Sequence, residues 1–133
     1  MSCMSVEHLR EQNLQKAIAG YNKALNVLKK AKSPMEYSKI QHLMGQAYQR
    51  LAEVRDRETN AKLAIEVLKE ALTVRTKEAF PVDYATTKRE IGNAYRTLAE
   101  VRDKEVNLKL AIEAYKEALT IQTKEAFPVD YAT

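Results

Sequence analysis

The sequence predicts an all-α fold, a single array of stacked antiparallel helix pairs, and three observations predict it. Prolines 34, 81 and 128 recur at an interval of 47 residues, and residues 34–80 laid over 81–127 are identical at 28 of 47 positions. Self-similarity at a period of this size marks stacked units, each too small to bury its own apolar face. Within each unit apolar residues return every three or four positions, the spacing of an amphipathic helix. With three glycines, three prolines and 30% charged residues, the composition fits long helices and excludes both a disordered tail and a turn-rich β-sandwich.

Taken in order, residues 1–133 read as one domain. Residues 6–33 form an N-terminal capping helix, 34–80 and 81–127 are two complete repeats, and 128–133 begin a third that is cut short. The opening helix is expected over 6–31, with a stripe of Leu9, Leu14, Ala17, Ile18, Tyr21, Ala24, Leu25 and Leu28. Asn13, Ala17, Ile18, Ala24 and Leu25 recur 47 residues later as Asn60, Ala64, Ile65, Ala71 and Leu72, so this helix is the second half of a unit. Its drift toward Gln and Asn elsewhere suits a terminal unit whose outer face meets water. Lys29, Lys30 and Lys32 fall at its end, where cations oppose the helix dipole.

The first helix of each repeat, the A helix, is expected over 34–55 and 81–102. Ser33 offers an N-cap oxygen, Pro34 suits the first helical position, and Glu36 completes a capping box. Gly45 and Gly92 stand mid-helix in the two copies, which costs about 1 kcal/mol each relative to alanine and implies a close backbone crossing by the partner helix. An alanine there is expected to be nearly neutral, a leucine overpacked. A tight polar turn follows at Arg55–Asn60 and Arg102–Asn107, with Asp and Asn available as caps. The B helices are expected over 58–78 and 105–125, antiparallel to their A partners because the connections are short.

The residues Gly45-x-x-Tyr48, Gly92-x-x-Tyr95, Ala64-x3-Leu68-x2-Ala71 and Ala111-x3-Tyr115-x2-Ala118, with a proline opening the next unit, resemble the tetratricopeptide repeat. The likeness covers essentially the whole chain and is closest to a subclass of regular prokaryotic arrays with long units. It departs from the standard unit of about 34 residues in its length and in lacking a tryptophan near the start of helix A, where Gln41 and Lys88 stand. The resemblance implies a helix-pair solenoid that scaffolds protein–protein contacts, with the A helices lining a concave groove. On that analogy the partner-binding residues are Lys39, His42, Gln46, Gln49, Arg50 and Glu53 from one repeat and Thr86, Arg89, Asn93, Arg96, Thr97 and Glu100 from the other. Arg89 and Asn93, one turn apart, have the arrangement with which such domains hold a peptide carboxylate, and His42 and Gln46 echo it. The copies differ most along these helices, as a tuned binding surface or a relaxed exposed face would.

Net charge is +4 over the chain, yet residues 1–33 carry six basic and two acidic side chains, while the two repeats sum to +1 and zero. A phosphate-binding track needs excess Lys and Arg in every unit, so nucleic acid is disfavoured as a partner. No phosphate-cradling glycine loop, nucleophile–base–acid set or cluster of His and Cys appears, which argues against catalysis, a cofactor or a metal. Single Cys3 offers no internal disulfide, and no leader or membrane-spanning apolar run is present, so a cytoplasmic protein is expected. The unfinished third repeat leaves Leu108, Ile112, Tyr115 and Leu119 partly exposed on the last B helix, a surface expected to mediate self-association.

Overall fold

A computed structural model describes residues 5–126, which form five α-helices: α1 (Val6–Val27), α2 (Pro34–Val54), α3 (Arg57–Leu72), α4 (Pro81–Ala99) and α5 (Lys104–Ala126). There is no strand among the described residues. Cys3 and the start of a third repeat at 128–133 lie outside them. In the terms used above, α2 and α4 are A helices and α1, α3 and α5 are B helices. Each helix packs on its neighbours in the chain, and α2 also touches α4. The described B helices do not approach one another closely through their backbones, and Leu68 of α3 and Ala114 of α5 share a cluster with Ile91 of α4. The A helices therefore form the closed side of the row and the B helices the spread side, where a gap of about 220 Å3 opens between α3 and α5 above Tyr95.

The helices start where expected and several stop early. Leu28 leaves α1 with an extended backbone, and the N–H groups of Lys32 and Ser33 close a turn on the Lys29 carbonyl. The lysines there do not cap α1; Lys30 instead reaches Glu70 of α3 at 3.0 Å. α3 ends at Leu72, not at 78, because Thr73 turns its hydroxyl back on the Glu70 carbonyl and Thr76 accepts from the Ala79 N–H, folding 73–80 into turns that aim Pro81 into α4. The same heptad one period later stays helical through Ala126 in α5.

The expected caps are corrected by the turns. Ser33 opens α2 without a side-chain hydrogen bond, so Glu36 completes no capping box. Asp56 and Asp103 sit in the left-handed region, at φ 43° and 40°, which Asp tolerates better than most residues. What ties each turn is the following asparagine: Asn60 donates to the Arg55 carbonyl at 2.9 Å, and Asn107 to that of Arg102 at 2.7 Å. Ion pairs then repeat with the period. Arg10–Glu53 and Glu11–Arg55 join α1 to the end of α2, and Arg57–Glu100 and Glu58–Arg102 join α3 to the end of α4. Every junction is thus fastened by two pairs of opposite polarity.

Packing between A and B helices explains the glycines. Ala61, Ala64, Leu68 and Ala71 form a stripe on α3 at 0% exposure, laid against α2. A methyl group at Gly45 would stand 2.4 Å from Leu68 Cγ, and one at Gly92 would stand 2.7 Å from Tyr115 Cε1. A side chain of the B helix, not its backbone, fills the notch. The neutral alanine expected at these sites is therefore corrected.

Gly45→Ala should lower stability by about 1–3 kcal/mol in spite of its better helix propensity. Gly20→Ala in α1, where an added methyl meets nothing within 4 Å, should raise it by about 0.5–1 kcal/mol. Urea denaturation resolves the two, and shifts of the same sign would contradict the packing. At the junctions, Arg57→Glu should cost up to about 1 kcal/mol, and adding Glu100→Arg should recover most of it, as a double-mutant cycle can measure.

Candidate functional site

The A helices lie side by side, and two kinds of polar residue run along them. The first kind is buried in the seam. His42 Nδ1 shares a hydrogen bond with Thr87 Oγ1 at 3.1 Å, and Gln49 Nε2 donates to Thr97 Oγ1 at 2.7 Å and to the Asn93 carbonyl at 3.4 Å. Behind His42, the buried Arg75 donates from Nε to Ser38 Oγ at 3.3 Å. His42, Thr87, Gln49 and Thr97 are each at most 7% exposed, so three residues expected in the groove, His42, Gln49 and Thr97, spend their polar atoms joining α2 to α4.

The second kind opens to solvent, and the seam's buried Gln49 joins it in lining a cleft. Gln46, Gln49, Arg50 and Glu53 of α2 and Glu90, Asn93 and Arg96 of α4 line a cleft of about 190 Å3. Helical spacing puts them there, since 46, 50 and 53 and likewise 90, 93 and 96 fall on one face of their helices. Six of the expected groove residues therefore meet: Gln46, Gln49, Arg50, Glu53, Asn93 and Arg96. Lys39, Thr86, Arg89 and Glu100 lie off the cleft, Thr86 turning its hydroxyl onto the Val82 carbonyl and Glu100 pairing with Arg57. Glu90 was missed, although its place three residues before Asn93 marks it as a neighbour.

Arg89 and Asn93 do not meet in the cleft. Asn93 Oδ1 accepts from the Tyr115 hydroxyl, which locks the amide against α5, while Arg89 stands outside the cleft. Two cations, Arg50 and Arg96, and two anions, Glu53 and Glu90, face the opening, with Glu53 held by Arg10. Gln49 Oε1 lies buried beside them with no hydrogen-bond partner among the described residues. The cleft thus presents two guanidinium and two carboxylate groups to solvent, and the Gln49 carbonyl oxygen is covered. Among the described residues no group of three or more His, Cys, Asp or Glu could hold a metal ion, and no helix is long and apolar enough to cross a membrane.

On α5 the four residues expected to drive self-association divide. Tyr115 is half-buried with its ring against Gly92, and half-buried Leu108 lines a recess with Arg96 and Glu100, so both turn toward α4. Ile112 and Leu119, 50% and 64% exposed, face outward. Their counterparts one period earlier lie against the next A helix, Ile65 in a cluster with Ala94 and Leu98 and Leu72 in one with Ile91.

Burial is the main cause that pushes His42 down to about 4, and the cations Arg75 and Arg89 reinforce it against Asp83. The folded chain holds this imidazole neutral. Its contribution to stability is complete above about pH 6.5, the ordinary histidine value, and is lost as pH falls toward 4. Urea midpoints measured across that window should fall, and His42→Gln, which keeps a hydrogen-bonding group but not the titration, should flatten the curve. No family model, curated protein or solved structure matches the chain.

Proposed function

We propose that the chain is a non-catalytic, cytoplasmic interaction scaffold of the tetratricopeptide type, an array of helix pairs that holds a segment of a partner protein in the concave groove between α2 and α4. The observation that carries this reading is the cleft itself. Gln46 and the charged side chains that line it can hydrogen-bond the backbone of a bound polypeptide segment. Arg50 and Arg96 on either side suit the carbonyls or a carboxylate of the same segment. Equal numbers of cations and anions fit a polypeptide better than a phosphate backbone.

Arg96→Glu should weaken capture of the partner from a native lysate by about tenfold or more, the value of one charge-assisted contact. Arg89→Glu, off the cleft, should leave it intact. Equal capture by both variants would remove the cleft from the reading. Binding that survives a rise from 50 to 200 mM salt separates a peptide from a nucleic acid, whose affinity falls steeply over that range.

A second reading, self-assembly, is favoured by the outward Ile112 and Leu119. Light scattering at high micromolar concentration should then show a dimer that Ile112→Glu plus Leu119→Glu returns to monomer. A wild-type chain that is monomeric throughout would overturn it.

A further inference from the structure

The stripe that is fully covered on α3 is only partly covered on α1, where Leu14 and Tyr21 pack against the cluster around Ile18. Ala61, Ala64, Leu68 and Ala71 are at 0% exposure beneath α2, whereas their counterparts one period earlier, Leu14, Ala17, Tyr21 and Ala24, are only half-buried. α1 packs on α2 through Ile18, which meets Met44, Ala47 and Leu51. That leaves vacant the side on which a preceding A helix would lie. The vacancy is a groove of about 540 Å3 with an apolar wall of Val6, Leu9 and Leu14, and Arg50 of α2 stands on its far side.

An A helix of the same chain does not reach this groove through the turn used elsewhere. Leu9 occupies the place of Asp56 and Asp103, where the backbone reverses in the left-handed region, yet α1 runs helically through Leu9. Asn13, in the place of the turn-closing Asn60 and Asn107, is exposed on that helix.

The repeat says what would fit. Where α2 lies on α3 and α4, three of its residues make the decisive contacts: His42 meets Thr87, Gly45 receives Leu68, and Gln49 meets Thr97. One period back, the places of Thr87, Leu68 and Thr97 hold Ile40, Tyr21 and Arg50; Arg50 lines the groove, and Ile40 and Tyr21 are half-buried on the same repeat register outside its lining. An occupant in the same pose therefore needs an apolar residue against Ile40, a small residue three positions later to admit Tyr21, and a carboxylate four positions after that for Arg50. No ion pair among the described residues uses Arg50.

A second copy does not supply this pattern. α2 and α4 are already packed, and α4 would bring Arg89 to Ile40 and Arg96 to Arg50, cation against cation. We infer that the open face of α1 and α2 is the seat of an amphipathic helix from a partner protein, one that reads apolar-x-x-small-x-x-x-acidic along the face it buries. The seat is distinct from the α2–α4 cleft, sharing only Arg50 with it, and the inference stands without that reading.

The probe is a labelled peptide of residues 34–55 carrying His42→Leu and Gln49→Glu, stapled as a helix on its solvent face, and titrated into the full chain by fluorescence anisotropy. Saturable binding is expected, about tenfold weaker when position 49 of the peptide is lysine, the size of one charge-assisted contact. Arg50→Glu in the chain should reverse the order of the two peptides, and Leu9→Glu, at a position already 44% exposed, should weaken both. Arg96→Glu should change neither, which separates this seat from the cleft. Absence of binding, equal affinity for the two peptides, or an order that Arg50→Glu does not reverse would overturn the inference. So would a dimer that Leu9→Glu dissociates, because a second copy would then own the seat.

Discussion

How closely each A helix lies on the B helix that follows it sets the rest of the structure. On α3 the stripe facing α2 is alanine at three of four positions, and at the fourth Leu68 enters the notch left by Gly45. Small residues let the helices approach, and the one large residue fixes their register, since Leu68 fits only where no Cβ stands. The second pair keeps the glycine and enlarges the knob to Tyr115, whose hydroxyl then reaches Asn93. In this way an internal packing residue positions an amide that lines the cleft. Burial of such a side chain contributes about 1.5–3 kcal/mol, and the glycine's cost of about 1 kcal/mol in helix propensity is what makes room for it.

Stacking of one pair on the next uses different chemistry. Ile65 against Ala94 and Leu98 supplies apolar contact, and the A helices meet through the hydrogen bonds of His42 and Gln49. Around the turns, the alternating Arg–Glu pairs of 10–53, 11–55, 57–100 and 58–102 are exposed enough that each contributes little free energy. Their value is directional. A slip of one helical turn between neighbouring pairs would break both contacts at a junction and leave buried seam groups such as Thr87 and Gln49 without partners, a cost of about 1–3 kcal/mol apiece. Weak exposed pairs and strongly penalised buried ones thus select the same register.

The sequence made the helices legible because both the repeat and the apolar spacing survive without tertiary context. Their ends were less legible. TxxTKEA occurs twice, folding into turns after α3 and continuing as helix in α5, so local sequence does not decide its conformation; in the first copy the buried Arg75 bonds Ser38 of α2, and Gln122 stands in its place in the second. Asp56 does hold the N-cap position of α3, but without a side-chain hydrogen bond, and both Asp56 and Asp103 are the left-handed residues of their turns, a role that a missing glycine concealed. About half of the expected groove residues do line the cleft, since helical spacing alone identifies one face. His42, Gln49 and Thr97 were indistinguishable from exposed polar residues until α2 and α4 were placed against each other, because a polar residue satisfied by a neighbouring unit carries no local signature.

The same seam accounts for why near-identical repeats diverge along their A helices. Contacts between successive units are heterologous: position 42 meets 87, not 89, and position 49 meets 97, not 96. A matched pair therefore consists of two different places in the repeat, and complementarity between neighbours requires the copies to differ. If the first unit were stacked on another like itself, His42 would meet Ile40 and Gln49 would meet Arg50. A buried imidazole would lose its hydroxyl partner, and a guanidinium charge would replace a neutral hydroxyl in the buried seam. Thr87 and Thr97 in the second unit relieve both conflicts. Divergence at these seam positions thus encodes the order of units, while the open positions 46, 50, 90 and 96 face solvent and carry no such constraint.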